Sequence, residues 1–440
     1  MKEILKEIIY SFWESDNVEI IKRKNEVLNI WSWFNKAITL IWPRRSWKTS
    51  LCFQKINELL EWWLNKKNIL YINFEDERLL SFNINDFDIL FKSYFELSWF
   101  SVKDENIYFF FDEIQNILNW EKFITRLINN FKINVWVTGS SAKMLSKEIN
   151  TGLRWKNIIF EILPLTFSEF LVFKWIEINK DFIYSIDKTN FYKKNLVEFL
   201  KFWAFPEIIL QETDLIKKSI VKNYYDLIFY RDIVDRYNVR DISSLKRFRK
   251  FITYNFTQKL SLKRISDELL IDYKTALNWF DYFCDSYFWF ALKKFNFSIL
   301  EIEKSMSKFY LIDNSFFSVN FLSINNLNYS TLFENQVFLE IKKKWLIPWE
   351  NIFYYEEKGL EIDFIIFYQW ELTCVQVSYN IENEKTKQRE IKSLNYVKEK
   401  YWVKNLLLVL WEETKSYEED NIKYLSFYDF TFYLSEKFKI

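Results

Sequence analysis

The stretch Leu40-Ile41-Trp42-Pro43-Arg44-Arg45-Ser46-Trp47-Lys48-Thr49-Ser50 decides the fold. The apolar run Ala37 to Ile41 reads as a strand, and the loop after it ends in Lys48-Thr49. That is the order of a phosphate-binding loop, GxxxxGK(S/T), set between a strand and a helix. Trp42 and Trp47 stand where such a loop carries its two glycines. The spacing assigns Trp42, Pro43, Arg44, Arg45, Ser46, Trp47, Lys48, Thr49 and Ser50 to the phosphate cradle, with Thr49 also at the Mg²⁺.

The same exchange runs through the chain. At the usual 7% or so, glycine would number roughly 31 in a chain of this length; there are 3, against 20 tryptophans. Trp62-Trp63 follow a helix read over Phe53 to Leu60. Trp345 follows one read over Asn335 to Lys344 and precedes Pro348, and Gln369-Trp370 falls in a hairpin turn. Helix ends and tight hairpins take positive φ, which glycine reaches freely and a bulky residue does not. The pattern implies that most of these tryptophans are glycines in the organism, the codon UGA having been read with the wrong meaning. Some bacteria assign that codon to glycine and others to tryptophan. Trp120, in Asn119-Trp120-Glu121-Lys122-Phe123, reads as a mid-helix residue and a true tryptophan.

Composition excludes several chemistries. The chain has no histidine, which removes Ser-His-Asp and Cys-His sets, histidine bases and histidine-ligated zinc. Cys52, Cys284 and Cys374 are far apart and odd in number, so they form no zinc cluster or disulfide framework. The net charge of +1 provides no global field toward nucleic acid or membrane. No apolar run is long enough for a membrane span and the N-terminus is amphipathic, so the expected location is the cytoplasm.

Beyond the loop, apolar runs recur at Ile69 to Phe74, Ile107 to Phe111, Asn134 to Thr138 and Ile158 to Leu163, separated by helical periodicity. Continuous apolar strands between amphipathic helices predict a parallel sheet covered on both faces. The second of these runs ends in Asp112-Glu113. That places Asp112 with Thr49 in the shell of a Mg²⁺ ion and Glu113 where it polarises an attacking water. Ser140 and Ser141, at the tip of the next run, are placed to sense a γ-phosphate or to orient the water. Arg154 has two readings, a stabiliser of phosphoryl charge or a surface arginine.

The stretches Phe74-Glu75-Asp76-Glu77-Arg78, Phe111 to Asn116, Thr138 to Ser141, Leu163 to Phe170, Phe205-Pro206-Glu207 and Tyr230 to Val234 follow the loop in a characteristic order. With them the chain resembles an AAA-type P-loop ATPase of the bacterial and archaeal group that carries a C-terminal domain of unknown function. Trp42, Trp47, Trp155 and Trp203 stand at that group's glycine positions. The resemblance implies ATP and Mg²⁺ as cofactors, Lys48, Glu113 and Arg154 as the catalytic set, and an α/β fold. The expected layout is a helical lead-in over 1–36, the ATPase core over 37–163 and a helical lid over 164–215. A winged-helix region over 216–303 and a restriction-endonuclease-like α/β domain over 304–440 complete it. If the tryptophans are real, the same layout implies a pseudo-ATPase that does not hydrolyse.

Two later stretches bear on partners. Leu262 to Leu270 and Tyr273 to Asp285, joined by Ile271-Asp272, have helix-turn-helix spacing. Lys246, Arg247, Arg249, Lys250, Lys259, Lys263, Arg264 and Lys274 make the region basic. DNA contact and purely protein contact both fit it. In the last domain the spacing resembles the restriction-endonuclease-like fold, and Glu334, Asp363 and Gln376 fit the helix, strand and strand positions of the metal site that this resemblance implies. Ser378 stands at that motif's lysine position, unless Lys385 or Lys387 reaches in. The expected activity is therefore ATP hydrolysis coupled to a partner, without nuclease cleavage. An ATP-regulated nuclease and an ATP-dependent protein scaffold are the competing readings.

Overall fold

The computed structural model describes the chain apart from residues 24–35, 43–47, 105, 141–152, 154–155, 177–185, 203–204, 321–327, 412–415 and 439–440, and gives the backbone alone for 42, 48, 140, 186–189 and 202. The chain forms two compact units, Met1–Leu163 and Pro164–Ile440.

The first unit is built on a sheet of β1 (Ala37–Trp42), β2 (Ile69–Asn73), β3 (Ile107–Asp112), β4 (Ile133–Ser140) and β5 (Asn157–Glu161). The strands are parallel, in the order β2-β3-β4-β1-β5. Every residue of β3 is buried, as its unbroken apolar run requires when helices cover both faces. Phe87 stacks on Phe123 at 4.3 Å between ring centres, and Tyr94 meets Phe109 edge to face at 5.0 Å. Because the strands run the same way, the carboxyl ends of β1, β3 and β4 share one edge, where open α/β sheets bind ligands.

The lead-in differs from the expectation. The helix Lys2–Glu14 forms, but residues 16–23 are irregular although Ile20 and Ile21 have helical spacing. Val27, Leu28 and Ile30, the other apolar positions of that expected helix, lie outside the described residues.

In the second unit Thr166 caps the helix Phe167–Phe173 and exchanges hydrogen bonds with Glu169, closing a capping box. The helix Asp214–Leu227 continues as a π-helix over Ile228–Asp235. The sequence spacing over Asn223 to Tyr237 predicts one amphipathic α-helix, with Arg231 and Asp235, and Asp232 and Arg236, placed for i,i+4 ion pairs; the wider winding departs from that register. The helices Ile242–Tyr254, Leu262–Leu269 and Tyr273–Asp285 accompany a three-stranded sheet, β6 (Lys259–Leu260), β7 (Trp289–Leu292) and β8 (Ser307–Leu311), in the order β6-β8-β7.

A six-stranded sheet follows: β9 (Ile352–Glu357), β10 (Leu360–Tyr368), β11 (Glu371–Ser378), β12 (Asn405–Leu410), β13 (Tyr417–Glu419) and β14 (Ile422–Ser426). Its order is β13-β14-β12-β11-β10-β9. Ile362, Ile365, Cys374, Leu394, Leu406 and Leu408 form part of its core. The helices Tyr329–Lys342 and Glu384–Tyr401 pack against it.

Among the described residues, seven tryptophans adopt left-handed backbone: Trp63, Trp99, Trp175, Trp345, Trp349, Trp370 and Trp402, with φ between 58° and 72°. Trp99 and Trp402 are the left-handed caps of the helices Asp86–Ser98 and Glu384–Tyr401. Gln369 and Trp370, at φ 49° and 65°, form the two-residue turn between β10 and β11. Trp120, Trp136, Trp279, Trp289 and Trp411 are instead buried. Trp120 opens its helix, Trp120–Asn130, rather than sitting in the middle of it.

Candidate nucleotide site and candidate ionic cleft

Asp112 ends β3 and is fully buried. Its Oδ2 accepts a hydrogen bond from the Thr49 hydroxyl at 2.6 Å and another from the Tyr71 hydroxyl at 3.1 Å. Its Oδ1 accepts from the Thr138 hydroxyl. Thr49 belongs to the first turn of the helix Lys48–Glu61, Tyr71 to β2 and Thr138 to β4. Three elements thus converge on the carboxylate that β3 carries at the shared edge of the sheet.

Glu113 follows in left-handed conformation, at φ 52° and ψ 40°. Its N–H donates to the Thr138 hydroxyl at 3.0 Å, and the Gln115 amide donates to its carboxylate. A non-glycine residue at positive φ stores strain, and such strain clusters at functional sites. Burial, with Asp112 alongside, raises the Tyr71 phenol far above its ordinary value, so it stays protonated and donates.

The structure brings Thr49, Asp112 and Glu113 together. Pro43, Arg44, Arg45, Ser46, Trp47 and Arg154 lie outside the described residues, as do Trp155 and Trp203, and of Trp42, Lys48 and Ser140 the backbone alone is described. Tyr71 and Thr138 were missed as partners of Asp112, since each becomes its neighbour only through strand pairing.

A second constellation lies in the second unit. Glu334 on the helix Tyr329–Lys342, Asp363 on β10 and Gln376 on β11 line an open cleft of about 560 Å³. The β9–β10 register shifts between Ile362 and Ile365, a bulge of the kind that re-aims a side chain, and Asp363 sits in it. Asp363 accepts from the Val377 N–H at 2.9 Å and its own N–H donates to Gln376 Oε1 at 3.2 Å. The Gln376 amide donates to Glu390 at 2.6 Å.

Three cations line this cleft, Lys259, Arg389 and Lys308, and the deepest is Lys308, from β8. Its Nζ lies 2.7 Å from Glu361 Oε1, 3.3 Å from Glu334 Oε1 and 3.4 Å from Asp363 Oδ1. Burial opposes the Lys308 charge, but Glu334, Tyr310, Asp363 and Glu361 hold the ammonium well above its ordinary range. Burial pushes Glu334 up to about 7, against the pull of Lys308. Asp363 is raised by burial as well.

Lys308 was not foreseen. Lys387 pairs with Glu419 instead of entering the cleft, and neither it nor Lys385 lines the cleft. The Ser378 hydroxyl donates to the Asn380 carbonyl at 3.2 Å. The basic helix-turn-helix region also needs correction. Arg249 is buried, bonded to the Tyr225 carbonyl and Asp226, and stacked 3.9 Å from Tyr225 and 4.0 Å from Phe229. Lys259 is paired with Glu356 and Glu361. Both count toward the basic stretch in the sequence, yet their charges are paired within the protein.

The family described as an AAA domain matches residues 34–171, and a domain of unknown function, DUF8612, matches residues 194–327. Uncharacterized protein MJ1544 of Methanocaldococcus jannaschii is 39% identical over 398 residues, covering 88% of this chain and 85% of that one. An uncharacterized protein of Haemophilus influenzae is 28% identical over 385 residues, 86% and 89% of the two chains. Among solved structures, the Aeropyrum pernix ORC1 protein in complex with DNA aligns over 72% of this chain and 91% of that chain at 10% identity, with a TM-score of 0.28. A score that low does not relate the whole chains. Among the described residues no helix is long and apolar enough to cross a membrane.

Proposed function

The chain belongs to the family of AAA-domain proteins that includes MJ1544, and from that premise we propose that it binds ATP with Mg²⁺, hydrolyses it, and uses the cycle to act on a partner through the second unit. The observation that carries this reading is the pairing of Thr49, in the first turn after the phosphate-binding loop, with Asp112 at the end of β3, 2.6 Å apart. A hydroxyl and a carboxylate so placed fit the water shell of a Mg²⁺ ion. Lys48 would carry the β- and γ-phosphates, Glu113 would orient the attacking water, and Ser140 and Arg154 would face the γ-phosphate. Bound Mg²⁺ would neutralise charge on the phosphates; the rest falls to these side chains.

Successive N–H groups of such a loop point at the phosphates, which needs special φ/ψ and no side chain in the way. An indole at 42 or 47 opposes both. We therefore also infer that Trp42 and Trp47, like the left-handed Trp63, Trp99, Trp345, Trp370 and Trp402, are glycines read through UGA. Trp349 differs from these in that its indole N–H donates to the Ala291 carbonyl at 2.7 Å.

The test compares the chain as written with the Trp42→Gly, Trp47→Gly form. The glycine form should bind and hydrolyse ATP, Glu113→Gln in that background should bind without comparable turnover, and Lys48→Ala should lose binding. Equal ATPase rates for the tryptophan and glycine forms would place the nucleotide elsewhere.

For the partner, the helix pair Leu262–Leu269 and Tyr273–Asp285, with the three-stranded sheet, supports a winged helix. Its exposed residues Tyr273 and Lys274 would face DNA. The six-stranded sheet, with Glu334, Asp363 and Gln376 around one cleft, supports a restriction-endonuclease-like domain. It is read as non-cleaving, because Ser378 stands at the motif's lysine position and the deepest cation of the cleft, Lys308, is bound up by three carboxylates. Plasmid cut in Mg²⁺ or Mn²⁺ and spared by Asp363→Asn would reverse that.

A further inference from the structure

The register of β2 against β3 sets Tyr71 beside Phe110. Side chains alternate faces along a strand, so Tyr71 shares a face of the sheet with Phe110 and, two residues on, with Asp112. The phenol crosses that diagonal and its hydroxyl donates to Asp112 Oδ2 at 3.1 Å. The Thr49 hydroxyl donates to the same oxygen at 2.6 Å, and the Thr138 hydroxyl holds Oδ1. Three hydroxyls thus fix the carboxylate at both oxygens, and the phosphate-binding loop motif supplies only one of them, Thr49.

The Tyr71 ring is in turn gripped from two helices. Phe53 stands four residues after Thr49 on the helix Lys48–Glu61, and residues so spaced lie on one face. The face that brings Thr49 to Asp112 therefore brings Phe53 to Tyr71, at 4.8 Å between ring centres. Phe12, on the helix Lys2–Glu14, packs on Tyr71 at 5.6 Å. The Lys66 ammonium lies 5.3 Å from the Phe12 ring and donates to the Ser15 carbonyl, which ties the end of that helix to the segment entering β2. The helix precedes residue 34, where the match to the AAA domain begins.

We propose that Tyr71 is a positioning residue for the Mg²⁺ site, and that the helix Lys2–Glu14 braces it from outside the matched domain. The inference rests on the ATP-binding reading and names what aims its metal-binding groups. A threonine hydroxyl that donates its proton to a carboxylate keeps its lone pairs for a cation, so the orientation of Asp112 sets the direction of the Thr49 oxygen. With Tyr71 and Thr138 on opposite oxygens the carboxylate cannot turn. Without Tyr71, Oδ2 is held by Thr49 alone, the very group it has to aim. Outer partners of this kind are worth about 10–100-fold in metal affinity.

The experiment measures binding of a non-hydrolysable ATP analogue by calorimetry to the full chain carrying Trp42→Gly and Trp47→Gly, once with Mg²⁺ and once with excess EDTA. Tyr71→Phe keeps the ring between Phe53 and Phe12 and removes only the hydroxyl, so its fold is not at risk. It should weaken binding in Mg²⁺ by about tenfold. Binding in EDTA should stay within about twofold, because the loop and Lys48 grip the phosphates without it. Phe12→Ala should show the same split at about two- to fivefold, since the phenol keeps its hydrogen bond but loses one side of its packing. Unchanged or tighter binding of the Tyr71→Phe chain in Mg²⁺, or equal losses with and without the metal, overturns the proposal. A Phe12→Ala chain with full affinity in Mg²⁺ overturns the brace. A parent chain that binds the analogue in neither condition, or equally in both, refutes the nucleotide and Mg²⁺ reading itself, and the proposal with it.

Discussion

Replacing Trp63, Trp99, Trp370 and Trp402 by glycine should stabilise this protein, against the usual direction for deleting a large apolar side chain. All four sit at φ between 58° and 68°, where a Cβ crowds the backbone at a cost of roughly 1–2 kcal/mol per residue. All four are between 88% and 97% exposed, so removing the indole gives up almost no buried apolar area. Glycine returns about 0.5–1 kcal/mol of that through the freer unfolded chain, leaving a gain of about 0.5–1 kcal/mol per site. Trp63 and Trp99 belong to the first compact unit, Trp370 and Trp402 to the second, so each unit gains roughly 1–2 kcal/mol. For units of this size that is a rise in Tm of about 2–8 °C. Circular dichroism melts of the two double variants measure it. Trp136→Gly is the contrast: this residue is 1% exposed and stacks on Phe110, so its loss should cost about 3–5 kcal/mol. If the four exposed substitutions lower Tm, or the gene has UGG at these codons and UGA at Trp136, the glycine assignment is wrong.

DNA binding, if carried by the helix-turn-helix region, should weaken and lose salt dependence when Lys246, Arg247, Lys250 and Lys274 become Ala. Arg249→Ala should instead cost about 2 kcal/mol of stability, since it removes a buried hydrogen-bonded charge and two ring contacts; urea melts and a salt series of binding separate the two. Thr138→Val removes the hydroxyl shared by Asp112 and the Glu113 N–H, and in the glycine-restored form should lower kcat by about tenfold or more with ATP binding kept. Glu334 binds its proton more tightly folded than unfolded, its pKa being raised from 4.5 to about 7. Stability from this group is full below about pH 4.5 and falls as pH rises toward 7, by about 1.4 kcal/mol for each pH unit crossed. Glu334→Gln should flatten that part of the profile, and an unchanged pH dependence of the urea midpoint would show that the group is not perturbed.

The parallel sheet was legible because burial on both faces leaves its mark locally, as apolar runs without alternation. Ile107 to Phe111 and its neighbours needed no tertiary information. The left-handed tryptophans were legible for a related reason: helix ends and two-residue turns are set by a few neighbouring residues, so Trp63, Trp345 and Trp370 could be placed before any packing was known. The lead-in at 16–23 and the π-helix at Ile228–Asp235 were not, because apolar spacing fixes a face but not the winding or the packing that holds it.

The cleft shows where local reasoning stops. A metal-site motif read along one strand finds Ser378 at the lysine position and looks to the following helix for a replacement. The deepest cation comes from the other direction, 26 residues before Glu334 and 55 before Asp363. It comes on a strand whose place is set by pairing with β6 and β7. Nothing in the residues around Lys308 marks it as special; its burial among three carboxylates does. Arg249 shows the reverse error, a basic residue in a basic stretch whose charge is absorbed by Asp226 and two aromatic rings. In both cases the charge is plain along the chain, and its partner emerges only from the tertiary structure. A basic residue in such a chain therefore counts toward a phosphate surface only after its burial and ion pairs are known.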